Sequence, residues 1–233
     1  MYHLSAKYYD HIYSFKDYEK ESAILRGMVE TYCRSNGNQL LDVACGTGNH
    51  IEYLREDFKI EGVDLEPEFL EIVREKFPEL PFHLGDMRTF DLGREFDVVT
   101  CLFSAIGYMQ NVEELNLAIA NMARHLLSGG LLLVEPWFSP DKWRDGSVHM
   151  LTIDEPELKI ARIVTSAVEG RMAVMDMHHL VGTPEKTEHF METHRMFLAT
   201  KEELMDAVKS AGLNPFWEDD GLTMRGMLIG VKE

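Results

Sequence analysis

The sequence predicts an α/β fold: a doubly wound, mostly parallel sheet flanked by helices, with a small antiparallel β insertion. Three observations predict it. Short apolar runs alternate with helical patterns at intervals of roughly 20–30 residues, the rhythm of βαβ units. A glycine-rich turn joins the first run to the helix after it. From Trp137 onward the rhythm changes to longer strand-like stretches joined by hairpin turns.

The elements follow in order. Residues 1–35 read as helix, with Asp17 capping a segment from Tyr18 to Cys33 that spaces Ile24, Leu25, Met28, Val29 and Tyr32 helically. Gly37-Asn38 breaks it. Gln39 to Ala44 is a short apolar run, typical of a strand buried on both faces. Gly46-Thr47-Gly48 turns the chain into a helix from Asn49 to Glu56. Ile60 to Asp64 is the second strand, and Pro67 opens the next helix, where its missing N–H costs nothing. Pro81–Leu84 and Phe96–Leu102 are the third and fourth strands. A helix over 112–127 ends at Gly129-Gly130, and Leu131–Glu135 is the fifth strand. Ala161–Val168, Arg171–Val181 and His189–Leu198 read as antiparallel strands, with Glu169-Gly170 turning the first hairpin. A helix from Lys201 to Ala211 and strands over 214–219 and 225–231 close a seven-stranded, Rossmann-like sheet. The expected division is a helical lid and core over 1–136, an insertion covering the site over 137–198, and closing elements over 199–233.

Composition narrows the partners. A 233-residue chain with 45% apolar content holds one domain's core and a small insertion. Its 23 basic and 40 acidic residues give a net charge of −17, which repels DNA, RNA and anionic lipid. Nucleic acid and membrane are therefore not expected partners. Cys33, Cys45 and Cys101 have no paired or metal-like spacing, which predicts buried thiols in a reducing, cytoplasmic setting. There is no apolar leader, and no run nears the roughly 18 apolar residues that span a bilayer. His178, His179, His189 and His194 read as alternating strand positions rather than metal ligands.

Chemistry concentrates after the first strand. In Leu41-Asp42-Val43-Ala44-Cys45-Gly46-Thr47-Gly48-Asn49-His50-Ile51, a buried strand runs through a glycine turn into a helix N-terminus. Ligands of open α/β sheets bind at such strand ends, where glycines admit close approach and free N–H groups face an anion. The dinucleotide fingerprint needs a third glycine, and Ile51 stands in its place. That favours a ligand whose only anion is an amino-acid carboxylate. Asp64 ends the second strand, where an acid can accept bonds from two ribose hydroxyls; it also suits a cap ahead of Pro67. After the third strand, Asp86 is placed for an adenine amino group, with Met87 beside the ring. Asp42 is expected to bond backbone near the glycine turn.

Asp42-x-Ala44-x-Gly46-x-Gly48, Asp64 and Gly85-Asp86-Met87 resemble the motifs of class I S-adenosylmethionine methyltransferases. With Phe103-Ser104-Ala105-Ile106-Gly107-Tyr108, Glu135-Pro136-Trp137 and Arg225-Gly226, the chain is similar to the N,N-dimethyltransferases of dTDP-amino-dideoxy sugars. Two departures stand out: Phe138 follows Trp137 where an aromatic pair of tryptophans is common, and Leu222-Thr223-Met224 precedes Arg225. The resemblance implies S-adenosylmethionine as donor, an amino-sugar nucleotide as acceptor and a homodimer. It implies donor contacts at Tyr9, Tyr18, Ala44, Gly46, Gly48, Asp64, Asp86, Met87 and Phe103. Tyr2 and Tyr108 fall nearest the acceptor amine, as catalytic candidates. Trp137 and Arg225 fall at the acceptor, with Arg162 or Arg195 as further diphosphate ligands. Other readings are methyl transfer to another amine, amino acid or phenol; an NAD-dependent oxidoreductase; and a donor-binding module without catalysis.

Overall fold

The computed structural model describes residues 4–233, so Tyr2 lies outside the described residues. Five strands form the parallel centre: β1 (Gln39–Val43), β2 (Lys59–Asp64), β3 (Phe82–Leu84), β4 (Phe96–Cys101) and β5 (Leu126–Val134). A separate antiparallel sheet follows: β6 (Val148–Asp154), β7 (Lys159–Glu169), β8 (Met172–Gly182) and β9 (Thr187–Phe197). Finally β10 (Leu213–Glu218) and β11 (Met227–Lys232) return antiparallel to the first sheet. Its order is β10-β11-β5-β4-β1-β2-β3. The chain reverses direction between β1 and β4, which is where such sheets open a ligand crevice.

The central strands are continuous apolar runs because both faces are covered. Leu41, Val43, Val98, Val99, Leu132 and Val134 are completely buried. Among the described residues, six helices flank or precede the sheet: α1 (Tyr9–Ile12), α2 (Tyr18–Tyr32), α3 (Ile51–Leu54), α4 (Pro67–Lys76), α5 (Val112–Arg124) and α6 (Lys201–Ser210). Asp17 caps α2 through Lys20 N, as its sequence position predicts. Asn111 caps α5 through Glu114 N, and Leu115, Ala118, Ile119 and Met122 of that helix enter the core. Thr200 and Glu203 form a capping box on α6.

Beyond shorter helices at α3 and α5, three differences from the sequence reading affect the architecture. The described part of the predicted first helix, residues 4–35, is not one helix: a 3₁₀ turn (Ala6–Tyr8), α1 and α2 share it. Strand β5 begins at Leu126 rather than Leu131, because Leu126 pairs with Phe96 and the register then shifts before Val98. Gly129, at φ +79°, lets the strand accommodate that shift. The second sheet has a fourth strand, β6, along its edge.

The second sheet stands in front of the first one's strand ends. Its inner residues Ile160 and Val181 share an apolar cluster with Tyr8, Tyr9, Ile12, Tyr13 and Phe69. Val164, Met175, Met177 and Met196 pack with Tyr108, Trp137 and Trp143.

Candidate active site

The carboxyl ends of β1 to β4 enclose a cavity of about 270 Å³. Its wall includes Tyr9, Ala44, Gly46, Asp64, Asp86, Met87, Phe103 and Tyr108. A smaller recess of about 40 Å³ shares Tyr9, Ala44, Gly46 and Phe103 and adds Tyr18, Asp42, Asn49 and His50. Most residues expected at the donor thus meet in one place. Gly48 does not line it; a Cβ there would fall 2.7 Å from Val73 Cγ2, so this glycine seats the turn on α4.

The backbone around the cavity is unusual. Ala44 (φ +60°), Phe103 (φ +50°) and Ser104 (φ +61°) occupy the left-handed region at the ends of β1 and β4. Each such non-glycine residue costs about 1–3 kcal/mol and persists only where neighbours over-determine it. Here they do. Ala44 N and Cys45 N both bond Val63 O, at 2.7 and 3.1 Å. Phe103 N donates to Glu135 Oε2 at 2.7 Å, and Ser104 Oγ to Pro136 O at 2.7 Å.

Asp64 accepts from Gly46 N at 2.7 Å and Glu66 N at 2.9 Å. It therefore holds the glycine turn and the entry to α4 together. A carboxylate has about four acceptor directions, so lone pairs remain toward the cavity. Burial pushes the Asp64 carboxyl up to about 6 against the pull of those amides. Asp42 is not bonded to the turn's backbone, as expected from sequence, but to Thr100 Oγ1 at 2.8 Å. Burial raises it to about 6 as well. Asp86 is gripped by its neighbour: Arg88 N, Nε and an η nitrogen all donate to it, which holds its carboxyl low.

Aromatic rings form the cavity's outer side. Tyr9 meets Phe69 edge-on at 5.0 Å and Tyr13 meets Phe103 edge-on at 5.0 Å. Lys16 Nζ sits 4.4 Å from the centre of the Phe103 ring, while bonding Glu21 at 2.6 Å. Glu21 in turn bonds His50 Nε2 at 2.8 Å. Tyr18 stands edge-on to His50 at 5.0 Å. Burial raises the phenols of both Tyr9 and Tyr18.

The expected acceptor residues lie beside this cavity. Tyr108 Oη is 2.7 Å from His194 Nδ1. Arg225 donates to Glu135 Oε1 at 2.9 Å and stacks near Trp137 and Phe138, 5.6 and 5.4 Å from their ring centres. Trp137 Nε1 is buried without a hydrogen-bond partner among the described residues. Arg162 reaches Tyr13 Oη at 3.1 Å. Arg195 pairs with the exposed Glu169 instead, away from the cavity.

Sequence reasoning missed Glu135 as a site residue. It is fully buried and joins three segments, accepting from Phe103 N, Thr223 Oγ1 and Arg225. It also missed Lys16 and the pairing of Tyr108 with His194, which lie 86 residues apart. Two signals were available for Glu135: an acid at the end of an otherwise apolar strand, and its place in the Glu135-Pro136-Trp137 motif.

Comparison with known proteins agrees with this geometry. A family model described as a methyltransferase domain matches residues 40–130. A dTDP-3-amino-3,6-dideoxy-alpha-D-glucopyranose N,N-dimethyltransferase of Streptomyces fradiae is 37% identical over 93% of this chain and 85% of its own. The crystal structure of DesVI from Streptomyces venezuelae superposes with a TM-score of 0.92, at 34% identity, covering 99% of this chain and 98% of that one. The chain belongs to this family of sugar N-methyltransferases. A further relative, CalS10 of Micromonospora echinaspora, is an amino pentose methyltransferase solved with S-adenosylmethionine bound. It matches with a TM-score of 0.85 and 35% identity over 94% of this chain and 93% of its own. The enzyme is an S-adenosylmethionine-dependent methyltransferase that releases S-adenosylhomocysteine. No helix among the described residues is long and apolar enough to cross a membrane.

Proposed function

We propose that the enzyme methylates the amino group of a dTDP-linked amino sugar. The observation that carries this reading is a donor cavity whose wall includes Tyr108, beside a half-buried Trp137–Arg225 pair. The cavity fits the donor. Asp64 has free acceptor directions for two ribose hydroxyls, and Asp86 and Met87 border the part meant for adenine. Tyr9, Tyr18 and Phe103 provide aromatic faces, which suit a sulfonium cation. Ala44 and Gly46 bring backbone close to the methionyl end, and Gly48 sets the turn behind them.

The bound donor supplies an electrophilic methyl group on a positively charged sulfur. The protein's part is alignment and exclusion of water, and proximity with orientation is worth roughly 7–11 kcal/mol. Tyr108, and Tyr2 by resemblance, orient the acceptor amine so that its lone pair faces the methyl. Arg225, already set by Glu135, and the unpartnered Trp137 Nε1 recognise the sugar nucleotide.

The insertion over 137–198 serves as the acceptor's cover, between the core over 1–136 and the closing segment over 199–233. We take the enzyme to be cytoplasmic, since Cys33, Cys45 and Cys101 are all free thiols. We take it to be a homodimer. Support comes from the outer face of the second sheet, where Val148, Met150, Ile163, Leu180 and Met191 are all exposed.

Calorimetry tests the acceptor assignment. S-adenosylhomocysteine binds first, and dTDP then binds the loaded protein with micromolar affinity. If dTDP fails to bind while S-adenosylhomocysteine does, the acceptor is another small molecule.

A further inference from the structure

We propose that Tyr108, His194 and Glu192 form a proton relay, in which His194 takes up the proton released when the acceptor amine is methylated. It rests on the amino-sugar reading, through the amine placed at Tyr108.

Methylation creates an ammonium, and an amine reacts again only once that proton has left. A site meant to add two methyls to one nitrogen must dispose of a proton between transfers. The cavity wall offers Tyr108, whose Oη is 2.7 Å from His194 Nδ1. His194 is completely shielded, and its Nε2 lies 4.0 Å from Glu192 Oε2. A carboxylate on that side favours the proton on Nε2, leaving Nδ1 to accept from the Tyr108 hydroxyl.

Glu192 is built to stay ionised. It accepts from Ser5 Oγ at 2.6 Å and from the backbone N–H groups of Leu4 and Ser5 at 2.9 and 3.2 Å. Burial opposes its charge, yet the nearby His194 imidazole, the Ser5 hydroxyl and these amides hold its carboxyl at about 2. Among the described residues, the other ionisable groups on this face are His179 on β8, Arg162 opposite it on β7, and Glu188 further along β9, which bonds Tyr8 and Lys7. Burial, then the Arg162 charge, lowers His179 to about 4, so it stays neutral. Around Tyr108 the inner face of β8 and β9 is apolar, with Met175, Met177 and Met196. Burying an ion among such residues is costly, and packing alone does not call for it.

The step balances. The amine lone pair forms the N–CH₃ bond as the S–CH₃ bond breaks, and the electrons of that bond stay on sulfur. The new ammonium passes a proton to Tyr108 Oη while the Tyr108 proton moves to His194 Nδ1. The imidazolium faces the Glu192 carboxylate until the spent donor leaves, when the Nδ1 proton returns through Tyr108 Oη to water in the opened cavity and the relay is reset. The product is a neutral methylamine, ready for a second transfer.

The experiment compares wild type, His194→Asn, Tyr108→Phe and the double variant, with dTDP-3-amino-3,6-dideoxyglucose as acceptor. An asparagine amide reaches Tyr108 as Nδ1 does but takes no proton. The relay predicts that H194N lowers kcat by about tenfold or more near neutral pH, with acceptor KM within about twofold. It predicts that rate recovers as pH rises, and that the double variant is no slower than either single one. Glu192→Gln, whose amide oxygen still accepts from the Leu4 and Ser5 amides while its nitrogen donates to Ser5 Oγ, lowers kcat less and serves where H194N does not fold. Wild-type kcat in both H194N and E192Q, or a double variant slowed by the product of the single effects, overturns the relay alone. A wild-type enzyme that leaves this amine unmethylated overturns the amino-sugar reading and the relay with it.

Discussion

The Asp64 carboxylate accepts the Gly46 amide at 2.7 Å, so the acid at the end of β2 holds the glycine turn at the end of β1. One side chain thus both shapes the cavity and lines it. Asp64→Asn removes the charge and one acceptor oxygen. Hydrogen bonds to a charged group are worth about 1.5–3 kcal/mol each. S-adenosylhomocysteine affinity should fall about 10–100-fold, as read by calorimetry; a change within twofold would show that Asp64 does not touch the ribose.

Donor binding should also depend on pH with a defined sign. In the ligand-free protein the Asp64 carboxyl is raised to about 6 by burial. The ligand's hydroxyls need the ionised form, so protons compete with the ligand below that value. Affinity should be flat above neutral pH and weaken about tenfold between pH 7 and pH 5. In D64N this dependence shrinks, leaving the part due to Asp42, which is raised to about 6 too. For folding the sign is the reverse of a salt-bridged acid. A raised native pKa means ionisation is costlier in the folded state, so this group's contribution to stability is best below about 4 and declines as pH rises through 6.

The sheet was legible because β1, β2, β4 and β5 are buried apolar runs and the glycine turn lies between strand and helix. Strand β6 was not, because it is an edge: Leu151 and Ile153 are only partly covered, and Val148 and Met150 face outward as apolar residues. That blurs the alternation on which a strand is recognised. The start of β5 hid behind Ser128-Gly129-Gly130, which reads as a turn and is instead an irregular stretch of strand. Among site residues, those in the glycine loop and at β2 and β3 ends were legible because their spacing is local. Glu135 and His194 act through partners 32 to 90 residues away, and no local pattern announces such a meeting.

Glu135 carries the most connected polar contacts at the site. Glu135→Ala would leave Arg225 charged and poorly hydrated, and would free the strained Phe103 backbone. Removing one partner of a buried pair costs about 3–5 kcal/mol. The melting temperature should drop by on the order of 10 °C, as measured by calorimetry or circular dichroism. Glu135→Gln, whose amide oxygen still accepts from Phe103 or Thr223, should fall less. A melting temperature unchanged in E135A would contradict the pairing.

The proposed dimer makes a prediction of its own. Met150 and Leu180 are 71% and 51% exposed on one sheet face. Replacing both by Asp places charge in the contact without entering the core. Light scattering should read a dimer for the wild type and a monomer for the double variant, with the circular dichroism spectrum retained. A monomeric wild type would rule the dimer out.

Turnover tests the central claim most directly. The protein is incubated with S-adenosylmethionine and dTDP-3-amino-3,6-dideoxyglucose, and the products are read by mass spectrometry. The account predicts one and then two methyl groups on the sugar nitrogen, with one S-adenosylhomocysteine released per methyl group transferred. S-adenosylhomocysteine binding without any methylated sugar nucleotide would contradict it.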